Sequence, residues 1–147
     1  RDKATGLYNR NKCNELIHMG IAPDDRLCFM MFDLNGLKKT NDNCGHDAGD
    51  QMIAKFAEVL RNSIPAGNFI GRSGGDEFIS IIYNTDEERV KKIIADMWEQ
   101  ITVFNQETAV GYAFVKEVGS RSYKDLYKLA DKRMYENKRA MKAVRTE

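Results

Sequence analysis

Two acidic positions carry the first hint of chemistry. Asp33 closes an unbroken apolar run, Leu27 to Phe32 (LCFMMF), and Asp76-Glu77 follows a Gly74-Gly75 pair between two further apolar stretches. Carboxylates grouped without soft ligands suit Mg²⁺, a hard ion that prefers oxygen. Paired ions of this kind can activate an attacking hydroxyl and neutralise a phosphate leaving group. Acidic residues also end strands and fill turns because they are solvated there, so Asp33 alone would carry little weight. A second feature adjoins the first. Leu34-Asn35-Gly36-Leu37 leads from the apolar run into a polar segment, and a strand turning into a helix presents unpaired N–H groups suited to phosphate. Lys138, late in the chain, is a cation able to reach the same anion.

Asn41, Asp42, His46, Asp47 and Asp50 crowd the next short stretch. An Asp can accept from the N1–H and exocyclic amine of guanine, while an Asn amide can pair elsewhere on the ring. His46 by itself reads as a structural hydrogen-bonding residue. At a hairpin tip Gly74 and Gly75 are expected to supply positive φ, and bare backbone there also lets a ligand approach closely. The sequence holds no Ser/His/Asp or Cys/His nucleophile pattern and no zinc-ligand spacing.

For these groups to meet, the elements carrying them must converge. Leu7, Cys13, Leu16 and Ile17 predict a short amphipathic helix over Leu7 to Met19, followed by a turn at Pro23-Asp24-Asp25. The run 27–32 is long enough and apolar enough for a central strand buried on both faces. A helical turn is expected at Leu37 to Asp42. A full helix follows from Asp47 to Ser63, with Met52, Ile53, Phe56, Ala57 and Leu60 on one side. Pro65-Ala66-Gly67 stops that helix, and strands at 68–72 and 77–83 flank the tight turn 73–76 as a hairpin. Thr85, followed by three acidic residues, reads as the N-cap of a helix reaching Val103. A strand at 108–115 and a last helix from Ser122 complete the chain. That helix turns Leu126, Leu129, Ala130, Met134 and Tyr135 inward. Without its first helix the order is βαββαβ, a ferredoxin-like α+β core. Its mixed, largely antiparallel sheet is covered by helices, and its first strand lies beside the hairpin. Asp33 and Asp76-Glu77 are therefore expected to converge.

Composition narrows the class. The 147 residues suit one domain, with 42% hydrophobic and 31% charged residues, an ordinary globular balance. A net charge of +1, from 23 basic and 22 acidic side chains, lacks the broad positive field of a duplex nucleic-acid binder. Cys13, Cys28 and Cys44 form no CxxC pair and read as reduced packing thiols, which points to a cytoplasmic setting. No apolar run reaches the length of a membrane span. The sequence opens at Arg1 hard against a motif, so the expectation is one domain, 1–147, excised from a longer signalling protein. Any membrane link would lie in that parent.

The motifs together resemble the GGDEF family of diguanylate cyclases. Arg72 to Phe78 reads RSGGDEF. Asp2 to Arg10 (DKATGLYNR) resembles the family's opening DxLTGLxNR. FDLNGLKKTNDNCGHDAGD, Phe32 to Asp50, resembles its D-hydrophobic-D/N-x-x-K…ND…GH…GD block, and Ala130-Asp131 through Tyr135 to Lys138 resembles ADxxxYxxK. The resemblance implies condensation of two GTP into cyclic di-GMP and pyrophosphate, each 3′-OH attacking the α-phosphate held by a second copy of the domain. It implies that Asp33, the Leu34 carbonyl and Asp76 hold two Mg²⁺ or Mn²⁺ ions, with Glu77 assisting them or activating the hydroxyl. Asn41 and Asp50 would read guanine, with His46 beside them. The Gly36 and Leu37 amides, Lys38 and Lys138 would hold the triphosphate, with Lys142 standing where an Arg is usual. Ala4, Asn35 and Met141-Lys142 depart from the pattern. The family's RxxD product-inhibition motif would fall at Pro65 and Asn68, so no such site is expected. Asp50 argues against the branch that makes mixed purine dinucleotides. The alternative activity is a GTP-binding regulatory module without turnover.

Overall fold

The computed structural model describes residues 1–22 and 26–145, so the turn read at Pro23-Asp24-Asp25 lies outside the described residues. The elements run α1 (Arg10–Ile17), β1 (Leu27–Leu34), α2 (Leu37–Cys44), α3 (His46–Ser63), β2 (Phe69–Arg72), β3 (Glu77–Tyr83), α4 (Glu87–Val103), β4 (Thr108–Phe114) and α5 (Tyr123–Arg145). The strands form one sheet in the order β2-β3-β1-β4, antiparallel at every named pair. Among the described residues the parallel component is a single bridge between Tyr8 and Gly71.

β1 is central, which explains its unbroken apolar run. Cys28, Met30, Phe32 and Leu34 point into a core shared with α3 and α4. Leu27, Phe29 and Met31 point the other way, into a core shared with α1 and α5. On the first side Phe56 meets Phe32 and Phe78 edge-on, at 6.1 and 5.0 Å, each pair adding about 1 kcal/mol beyond area burial. On the second side α5 lies so close to β4 that a Cβ on Gly111 would stand 2.1 Å from the Ala130 carbonyl oxygen.

Both sheet edges are occupied. Along β2, the Tyr8 N–H donates to the Ile70 carbonyl and Tyr8 accepts from the Arg72 N–H, at 3.2 and 2.9 Å. Along β4, side chains do the work at 2.9 Å each. Asn137 accepts from the Val110 N–H, Arg133 donates to the Tyr112 carbonyl, and Glu117 accepts from the Phe114 N–H.

Three local expectations are corrected. Asp86, rather than Thr85, caps α4, accepting from the Arg89 N–H at 2.9 Å. Thr85 is buried one residue earlier. Tyr135 is 55% exposed rather than inward, because Met134 already fills the face of α5 that meets the sheet. The first helix is shorter, opening at Asn9, whose side chain accepts from the Lys12 N–H. Among the thiols, Cys13 and Cys28 are buried as expected while Cys44 is exposed.

Candidate active site

The register of β1 against β3 places Asp33 directly opposite Glu77, both on the α5 side of the sheet. Like charges opposite one another in a ladder oppose folding, so this end of the sheet is not arranged for stability. The hairpin turn is tied to β1, the Leu34 N–H donating to the Asp76 carbonyl at 2.8 Å. That tie brings the Asp76 carboxyl to Asp33. Burial, reinforced by Asp33, holds the Asp76 carboxyl above its usual range. Burial also raises Glu77, with Asp131, Asp33 and Asp76 adding to it against the opposing Ser73 bond.

One cation answers this cluster directly. Lys138 Nζ donates to Asp33 Oδ2 at 2.7 Å. Asp33 Oδ1 is buried without a hydrogen-bond partner among the described residues. An orphaned carboxylate oxygen beside two carboxyls of raised affinity for protons fits a hard divalent cation. Among the described residues, no three His, Cys, Asp or Glu side chains already converge as a finished metal cage. Hard ions of this class are commonly held by one or two carboxylates plus phosphate and water.

Next to the carboxylates lies a groove of about 540 Å³ lined by residues of the β1–α2 turn, Asp76, Lys138 and Lys142. Gly36 enters α2 with φ +80, and no side chain caps the first-turn amides of that helix. The turn thus offers backbone donors, and Lys38, Lys39, Lys138 and Lys142 surround it with positive charge. A larger groove of about 730 Å³ lies at the opposite end of the sheet. Its polar groups serve the fold, Asp86 capping α4 and Arg121 donating to the Ala22 carbonyl.

The structure therefore gathers Asp33, Leu34, Gly36, Leu37, Lys38, Asp76, Lys138 and Lys142 around one groove end. Glu77 sits opposite Asp33 but turns towards Ser73. Asn41 and Asp50 stand across the α2–α3 junction, where the Asn41 side chain lies over Gly49. His46, at the start of α3, is exposed. Gly74 and Gly75 do not take the positive φ expected of a hairpin tip; they are held instead by Arg72, whose guanidinium donates to their carbonyls at 3.2 and 2.8 Å. Arg72 also contacts Asp2 at 3.4 Å, so the opening block of the sequence braces the hairpin turn. Asn68 donates to the Pro65 carbonyl and accepts from the Tyr83 N–H, a role within the hairpin's base. Two departures from the family pattern touch each other, Asn35 Nδ2 lying 3.8 Å from Met141 Sδ.

Two participants escaped the residue-level reading. Ser73 Oγ donates to Glu77 Oε1 at 3.0 Å and steadies that carboxylate. Asp131 of α5 adds a further negative charge, its carboxyl raised by burial and by Asp33. Helical spacing could have found Asp131, seven residues before Lys138 and so on the same face.

Comparison with known proteins finds one family. Residues 1–143 match the family model described as diguanylate cyclase, GGDEF domain. A probable diguanylate cyclase of Escherichia coli, DgcT, is 33% identical over 94% of this chain and 33% of its own length. The diguanylate cyclase DgcS of Shewanella oneidensis is 28% identical over 93% of this chain and 49% of its own. The chain thus spans a third to a half of these two relatives. Among solved structures, the GGDEF domain of DgcB from Caulobacter crescentus, in complex with c-di-GMP, superimposes with a TM-score of 0.84. The likeness covers 95% of this chain and 90% of that one at 24% identity, a likeness of fold. With its four motif blocks in place on a palm-type antiparallel sheet, this chain belongs to the GGDEF domain family.

Proposed function

We propose that the chain is the catalytic domain of a diguanylate cyclase, condensing two GTP into cyclic di-GMP and pyrophosphate. The observation that supports it most is the placement of Asp33, with its unpartnered oxygen, and Asp76 against the uncapped start of α2. One group of residues suits a metal-bound phosphate and the other the phosphate itself.

In this reading Asp33, the Leu34 carbonyl, Asp76 and Glu77 would hold two Mg²⁺ or Mn²⁺ ions. Bound there, the ions would acidify the attacking hydroxyl and offset charge on the α-phosphate and the leaving pyrophosphate. The amides of Gly36 and Leu37, with Lys38, Lys138 and Lys142, bind and orient the triphosphate. Asn41 and Asp50 read guanine, with His46 at their edge. Gly74 and Gly75 leave the hairpin backbone open to the nucleotide. Glu77, raised by burial, is suited to take the proton of the 3′-hydroxyl. The O3′–Pα bond then forms as the bond from Pα to the bridging oxygen breaks, and pyrophosphate departs. A second copy of the domain supplies the other GTP, so the reaction needs two sites face to face, as positioning-dominated phosphoryl transfer would require.

The test is product analysis by liquid chromatography after concentrated protein meets GTP and Mg²⁺, beside an Asp76→Ala control. Cyclic di-GMP from the native chain and a loss of about 100-fold or more in the variant are expected. GTP binding without product, even after fusion to a dimeriser, would assign a regulatory module instead. Undiminished synthesis by Asp76→Ala would overturn the metal assignment.

A further inference from the structure

The chain passes from α2 to α3 through one residue, Gly45, held at φ +88 and ψ 168. Across this corner the Asn41 side chain lies directly over Gly49. A Cβ built on Gly49 would stand 1.7 Å from Asn41 Oδ1 and 2.8 Å from its Cγ. Gly49 is buried inside the first turns of α3, a position where glycine is a poorer helix former than every residue but proline. The chain accepts that disadvantage, and the space it opens holds the Asn41 amide. Asn41 Oδ1 is buried with no hydrogen-bond partner among the described residues. Contact with the bare backbone at 49, rather than a bond, therefore sets the amide's orientation. The neighbouring residue is Asp50, exposed on α3.

We infer that Gly49 is a positioning residue for base recognition, its missing side chain seating the Asn41 amide beside Asp50 so that both address one purine edge. This rests on the reading of Asn41 and Asp50 as the guanine-binding pair. Any side chain at 49 swings Asn41 out of that seat while leaving as they were the residues that line the triphosphate groove, to which Asn41 does not belong.

The experiment is equilibrium binding of 3′-deoxy-GTP and 3′-deoxy-ATP, which lack the attacking hydroxyl and cannot react. Calorimetry on native, Gly49→Ala, Asn41→Ala and doubly substituted protein, with a thermal melt of each, gives every comparison needed. Gly49→Ala is expected to weaken 3′-deoxy-GTP about tenfold, the loss of roughly one hydrogen bond. Its affinity for 3′-deoxy-ATP stays at the native value, and its Tm without nucleotide holds or rises. In the Asn41→Ala background Gly49→Ala adds no further loss. Native binding of 3′-deoxy-GTP by Gly49→Ala, equal weakening of both nucleotides, or a further loss in the double variant each overturns the inference. Should Gly49→Ala alone unfold, the double variant decides: recovered stability places the clash at Asn41, and continued instability refutes it. A native chain with no preference for 3′-deoxy-GTP, or an Asn41→Ala chain that keeps it, overturns the guanine reading itself.

Discussion

Helix α5 makes two contacts between a cation and a carboxylate, five residues apart, and they are built on opposite principles. Arg133 grips Glu117 with two bonds of 2.9 Å and donates a third to the Tyr112 carbonyl. Glu117 also accepts from the Phe114 N–H. Charge there is matched one to one, and the Arg133 bond lowers the Glu117 carboxyl below its ordinary 4.5. Lys138 makes one bond to one oxygen of Asp33 and leaves the other without a partner. Asp76, Glu77 and Asp131 crowd in, all raised first of all by burial. The first contact is complete in itself and closes a sheet edge. The second is an electrostatic deficit, which suits the bound cation proposed for it.

That contrast can be broken most sharply at Lys138. Lys138→Met should cut cyclic di-GMP synthesis by about 100-fold, whereas Glu117→Gln should leave the rate within about twofold of native, since its partners serve an edge strand. Initial rates at saturating GTP check both, and comparable losses would dissolve the distinction.

Gly111→Ala attacks what the two contacts share. Its Cβ would fall 2.1 Å from the Ala130 oxygen and 2.3 Å from the Met134 nitrogen, both backbone atoms. The helix must lift off β4, at a cost of roughly 3 kcal/mol. A urea midpoint that does not move would mean α5 rides higher than described. Glu117→Gln, by comparison, should cost about 1 kcal/mol in the same titration, the worth of a weakened charged bond.

The smallest effect separates the contacts by sign. A carboxyl raised in the folded chain stays protonated where its unfolded counterpart, 3.8 for Asp76 and Asp131 or 4.5 for Glu77, has ionised. These groups therefore add stability as pH falls from neutral towards those values. Glu117 does the reverse, giving stability above 4.5 that is lost as pH drops through its lowered folded value. In chelator, the Tm should rise as pH falls from neutral towards 4.5, and the loss at Glu117 should begin only below that value. A steady fall from pH 7 would show that the carboxylates at the end of the sheet do not strain the metal-free protein.

The same contrast explains what could be read from the sequence. Asp33 and Asp76-Glu77 were legible because β1 and β3 have unambiguous apolar runs whose ends fix where the carboxylates fall. Strand β3 matches its expected span, Glu77–Tyr83. The helical turn at α2 was legible from the Gly- and Asn-rich stretch that follows β1, but the left-handed entry at Gly36 was not. Contacts between distant segments were not. Nothing local to Arg133 announces Glu117, and nothing at Ser73 announces its hold on Glu77, because both depend on side-chain direction after the elements have docked. Tyr135 shows the limit of periodicity, since a 100° step places it at the margin of the inner face and only packing decides which way it turns.

The closed edges of the sheet have a final consequence. Tyr8 covers β2, and Asn137, Arg133 and Glu117 meet the outward groups of β4, so neither border offers a free template for another strand. Crowding many copies together therefore does not invite their sheets to fuse.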